Sequence, residues 1–135
     1  MNEEMFRQAL IEITDNDLLN DFVNAVFGYK LNNDEYVYIQ YKIVNDNIVL
    51  NIFDNSKENR FKAYIFTLDS IISDDKDTLY INVDSCYRRY KEGSVNDKLC
   101  LLGALLVTNK KDEKEDIINR LFDNEIKRIL NKHFI

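Results

Sequence analysis

Side chains able to do chemistry are few in this chain, and they are scattered. There is a single histidine, His133, close to the end of 135 residues. Without a second histidine, a His-based metal site or acid–base pair has little to stand on, and a solvent-facing side chain is expected. Two cysteines, Cys86 and Cys100, have the spacing of neither a disulfide framework nor a zinc site. Cys100 lies in an apolar run and reads as a small buried hydrophobe. The three glycines form no Gly-x-Ser-x-Gly elbow, no Walker loop and no Gly-x-Gly-x-x-Gly. Asp69, Asp74, Asp75 and Asp77 crowd one stretch. It lacks the alternating aspartates, glycine and closing glutamate of a calcium loop, so a solvated loop is expected. Glu125-Ile126-Lys127 matches the Glu-x-Lys fragment of many nucleases. It falls inside an amphipathic helical pattern with no strand-borne aspartate, so the match reads as chance. Neither catalysis nor a metal or cofactor is expected.

Aromatic residues carry more information. Tyr36, Tyr38, Phe53, Tyr64, Phe66 and Tyr80 are expected on the sheet face opposite an isoleucine-rich one. They are either half-buried sheet residues or an interface, because tyrosine is enriched at interface cores. Base stacking on such a face is a further option, but the sheet region carries −3, which disfavours a polyanion. Arg88, Arg89 and Lys91, flanked by Tyr87 and Tyr90, make the best local basic–aromatic patch, or else a solvated turn. The candidate partner-binding residues are therefore Tyr36, Tyr38, Tyr64, Phe66, Tyr80, Arg88 and Arg89.

The elements that position these residues follow from periodicity. Residues 3–13 place Met5, Phe6, Ala9, Leu10 and Ile13 at helical spacing. Thr14 or Asp15 is expected to cap a second helix, which carries Leu18, Leu19, Phe22, Val23, Val26 and Phe27 on one stripe and ends at Gly28. The period then changes to 2. Strands are expected at Glu35–Val44 and Asn47–Phe53 around an Asn45-Asp46 turn, whose residues tolerate positive φ. That turn pairs Ile43 with Ile48, Tyr41 with Leu50 and Ile39 with Ile52, all on one face; a one-residue slip would scramble the segregation. A polar turn at 54–59 leads to a third strand, Arg60–Leu68. After a loop at 70–77, with room for one helical turn around Ile71 and Ile72, comes a fourth strand, Thr78–Asp84.

Ser85–Glu92 is expected to be helical or irregular, ending at Gly93. Ser94–Asp97 then resembles a capping signal for Leu99–Val107, nine residues without a polar side chain. This run is too short to span a bilayer as a helix, which takes about 20 residues. It must be buried on every side, and its Leu and Ala content favours helix over strand. A last helix is expected over Asp112–Lys132. The whole is a single α+β domain over residues 1–135: two N-terminal helices, a four-stranded antiparallel meander, and two to three C-terminal helices packed on one face.

Charge is unevenly spread. Residues 1–35 carry −6, residues 36–84 carry −3 and residues 85–135 carry +3, for a net −6. Either end could face a partner of opposite sign, or the two could complement each other within the fold. The acidic N-terminus is followed by no apolar h-region, so no signal peptide is expected, and reduced thiols in the cytoplasm are. The expected function is that of a small acidic protein-binding module, of the kind phages and mobile elements use as stoichiometric inhibitors without catalysis. A chaperone-like or scaffold homodimer and nucleic-acid binding through the basic C-terminal third are the alternatives. No membrane partner is expected.

Overall fold

The computed structural model describes residues 1–28, 37–54, 61–73 and 75–135. The first two helices are α1, Glu3–Asp15, and α2, Leu19–Phe27. α1 buries Phe6, Ala9, Leu10 and Ile13; α2 buries Phe22, Val23 and Val26. The turn between them departs from expectation. Thr14 lies inside α1, where its hydroxyl donates to the Leu10 carbonyl at 2.8 Å, and α2 starts with no side-chain cap. The reversal is made by Asp17 at φ +58°, a conformation aspartate reaches more easily than most residues. Gly28 ends α2 at φ +77°, as a left-handed cap should.

Strands β1, Val37–Val44, and β2, Asn47–Asp54, form the expected hairpin. Ile43 faces Ile48, Tyr41 faces Leu50 and Ile39 faces Ile52. Asn45 and Asp46 have φ of +50° and +64°, the paired positive values of a type I′ turn, whose twist matches that of the flanking strands. Strand β3, Phe61–Thr67, adds antiparallel to β2.

The fourth strand corrects the expected meander. β4, Thr78–Asn82, runs parallel to β3, so the sheet is mixed, in the order β1-β2-β3-β4. The connection, residues 68–77, is ten residues long. An extended chain of that length reaches about 33 Å, enough to return along a seven-residue strand of about 23 Å. The Ala63 amide donates to the Asp77 carbonyl at 2.9 Å and anchors the returning chain at the start of β4.

Helix α3, Val83–Lys91, leaves β4 directly, and the Asn82 side chain caps it by accepting from the Ser85 amide at 2.7 Å. Helix α4, Lys98–Val107, is the apolar run, capped by Asp97. Cys100 to Leu106 are all buried. A Cβ on Gly103 would lie 3.1 Å from the Cys86 sulfur and 3.5 Å from Ile81. The bare glycine thus lets α4 close against α3 and β4 together. The expected last helix is two: α5, Lys111–Leu121, and α6, Glu125–Phe134. Asn124 breaks it, its side chain accepting from the Ile126 amide. The break leaves Phe122 stacked on Phe22, centroids 5.8 Å apart.

The helices cover one face of the sheet. Phe6 meets Tyr41 and Phe66, and Phe27 meets Tyr64. The acidic and basic ends of the chain also meet. Glu12 of α1 accepts from Lys132 of α6 at 2.6 Å, with Arg128 at 4.0 Å and His133 at 3.4 Å. His133 is therefore turned against Glu12 rather than fully into solvent. No described helix is long and apolar enough to cross a membrane.

Candidate functional site

Strand register decides which candidate residues share a surface. β3 pairs Leu50 with Tyr64 and Ile48 with Phe66. This places Tyr64 and Phe66 on the helix-covered face, where both are buried. The expectation that they lie on the opposite face is therefore wrong. Both alternating sets of β3 are apolar, Ala63 and Ile65 on one side and Tyr64 and Phe66 on the other, so alternation alone leaves its orientation open. Tyr36 lies outside the described residues.

The outer face is built from Tyr38, Gln40, Lys42 and Val44 of β1, with Asn47, Val49, Asn51 and Phe53 of β2. Ala63, Ile65 and Thr67 of β3 and Thr78, Tyr80 and Asn82 of β4 continue it. Its identity follows from the pleat, since successive side chains alternate between faces. Tyr38 is 60% exposed and Phe53 37%, their ring centroids 6.1 Å apart. Val49, Asn51 and Ala63 in the middle strands are buried, and Asn51 donates to the Gln40 side chain at 3.4 Å. Among the described residues, this face carries one lysine and no carboxylate, in a chain of net charge −6. At the end of β1, Val44 is also exposed.

At the β4 edge of the sheet, Tyr80 also borders a cleft that Arg89 lines. The cleft measures about 240 Å³ and is shared with Cys86, Cys100, Asp97 and Leu99. Arg89 donates to the Cys100 sulfur at 3.7 Å. Cys86 and Cys100 are buried free thiols. Arg88 is exposed on α3. Seen whole, the expected basic–aromatic patch is largely a structural joint. Tyr87 donates to Glu113 at 2.7 Å, Lys91 donates to the same carboxylate at 2.9 Å, and Tyr90 donates to Asp116 at 2.6 Å. Burial pushes the Tyr90 phenol up, and Asp116 adds to the shift.

Glu113 was not singled out from the sequence. It is buried and also accepts from Thr108 at 2.6 Å. Burial favours its neutral form, but the bonds from Thr108, Tyr87 and Lys91 outweigh burial and hold it down to about 2. Nothing in a one-dimensional pattern marks it, because its partners come from α3 and from Thr108 at the end of α4. A second cleft, of about 230 Å³, lies between α1 and β1 and is lined by Leu10, Ile11, Leu19, Ile39, Tyr41 and Arg7 among others. The Tyr41 hydroxyl donates to the Glu3 carbonyl at 3.0 Å; burial, then the nearby Glu3 and Glu4, push it up to about 12.

No group of three or more His, Cys, Asp or Glu side chains that could hold a metal occurs among the described residues. The acidic loop is an ordinary Asx arrangement. Asp75 accepts from the Asp77 amide at 2.9 Å and from the Thr78 hydroxyl at 2.8 Å; these bonds hold its carboxyl below the usual range. Asp74 lies outside the described residues. No known protein family, curated protein or solved structure matches the chain.

Proposed function

We propose that this protein acts by binding another protein through the outer face of its sheet, as a stoichiometric module without catalysis. One observation carries the reading. In an acidic chain, the face turned away from the helices carries no carboxylate among the described residues and presents Tyr38 and Phe53 in contact with each other. Depletion of charge together with exposed aromatic side chains is the composition of an interface core. Tyrosine also offers a large contact area for little lost side-chain freedom.

Binding nucleic acid through the C-terminal third draws less support. Lys132 and Arg128 sit against Glu12, Lys91 against Glu113 and Arg120 near Asp116. Cations already paired within the fold release few counterions on meeting a phosphate backbone. The homodimer reading draws on a different observation. Among the described residues β1 has a strand on one side only, and an unpaired edge is a template for another strand. Light scattering separates the two: a dimer supports strand addition between copies, and a monomer removes it.

The test is affinity capture from a lysate of the source cells, with wild type beside a Tyr38→Asp, Tyr80→Asp double variant. A protein recovered in stoichiometric amount by wild type and lost with the variant supports the reading. Equal recovery by both chains, or none by either, contradicts it.

A further inference from the structure

The cleft along β4 holds two thiols and a guanidinium brought together from separate elements. Cys86 projects from α3 and Cys100 from the first turn of α4. Their neighbourhood is enforced by Gly103, where a Cβ would come within 3.1 Å of the Cys86 sulfur. Both cysteines line the cleft, with Arg89, Ser85, Asn82 and Asp97. The two sulfurs have different surroundings. Cys100 accepts from Arg89 at 3.7 Å, and although its side chain is buried it lines the cleft; positive charge beside a sulfur favours its nucleophilic form. Cys86 is pushed up to about 12, chiefly by burial and then by its hydrogen bond with Cys100, with Asp97 adding to the shift and Arg89 opposing it.

We propose that Cys86 and Cys100 form an oxidisable dithiol site, in which Cys100 reacts with a hydroperoxide and Cys86 closes a disulfide between α3 and α4. The Cys100 thiolate attacks the peroxide O–O bond. An S–O bond forms, the O–O bond breaks, and the departing oxygen takes up a proton and leaves as water, or as an alcohol from an alkyl hydroperoxide. Cys86 sulfur then attacks the sulfenic acid of Cys100. The S–S bond forms, the S–O bond breaks, and hydroxide leaves as water with the Cys86 proton. Two thiols are oxidised by two electrons and one peroxide is reduced. Asymmetry assigns the order: the sulfur beside the Arg89 guanidinium reacts with the peroxide first, and Cys86, which gives up its proton as it attacks, resolves the sulfenic acid. The product ties α4, the buried centre of the fold, to the helix that leaves the sheet.

The test is oxidation of the purified chain with hydrogen peroxide, followed by thiol titration and intact mass. The expected result is loss of both free thiols, a mass lower by two hydrogens, and a Cys86–Cys100 peptide pair that dithiothreitol separates. In Cys86→Ser the sulfenic acid persists on Cys100 and takes a dimedone label. In Cys100→Ser no label appears on Cys86. Arg89→Gln, an exposed substitution that leaves both cysteines in place, slows thiol loss severalfold. Two thiols left intact by peroxide that oxidises a free cysteine peptide would overturn the proposal. So would oxygen addition without a crosslink, or a rate unchanged by Arg89→Gln. Because wild type alone reports the crosslink, a variant that folds poorly does not blunt the test.

Discussion

Tyr38 and Phe66 are both aromatic strand residues, and the structure gives them opposite roles. Phe66 is fully buried against Phe6, so Phe66→Ala is expected to cost about 3–5 kcal/mol. Tyr38→Ala, on the outer face, is expected to stay within about 0.5 kcal/mol. Urea denaturation of the two variants checks the face assignment directly, and equal losses would contradict it. Glu113 supplies a pH test at the same scale. Its carboxyl titrates near 2 when folded and at about 4.3 when unfolded. The folded value is the lower one. The contribution is thus complete above about pH 5 and disappears as pH falls through 4 toward 2. Glu113→Gln is expected to cost about 2 kcal/mol at neutral pH, since it weakens bonds from Thr108, Tyr87 and Lys91. Thermal melts should show a smaller gap between variant and wild type at pH 3 than at pH 7; an equal gap would place the stabilisation elsewhere.

Elements were legible where one physical signal dominated. The hairpin register follows residue by residue from segregating Ile39, Tyr41 and Ile43 against Ile48, Leu50 and Ile52, because a slip would expose a whole apolar set. Helix α4 follows from its uniform apolarity and from Asp97 as its cap. Where two signals were equal, the reading failed. β3 is apolar on both faces, so neither its orientation nor the fate of Tyr64 and Phe66 could be read. The parallel course of β4 depends on where a ten-residue connection runs, which local pattern does not encode. The break at Phe122–Asn124 was hidden by a helical stripe that continues in phase, although Asn124 is a good capping residue. The turn offers a prediction at this scale. Asp46 sits at φ +64°, a conformation glycine adopts without strain. Asp46→Gly is expected to raise stability by about 0.5 kcal/mol, read as a higher denaturation midpoint at unchanged slope. A lower midpoint would argue against a type I′ turn.

The molecule as a whole separates its tasks by layer. Helices bury one face of the sheet around α4, and the acidic N-terminal helix is matched by the basic last one through Glu12, Lys132 and Arg128. This internal pairing accounts for part of the charge asymmetry in the sequence. It leaves the outer sheet face, which carries no carboxylate among the described residues, as the surface with the least explanation inside the fold. The most direct measurement places a photo-activated crosslinking residue at position 38, on that face. In parallel, one is placed at position 11, where Ile11 is exposed on α1. Irradiated in source-cell lysate, the probe at position 38 is expected to give one discrete protein adduct, and the probe at position 11 none. An adduct confined to position 11, or the same adducts from both positions, would contradict binding through the outer sheet face.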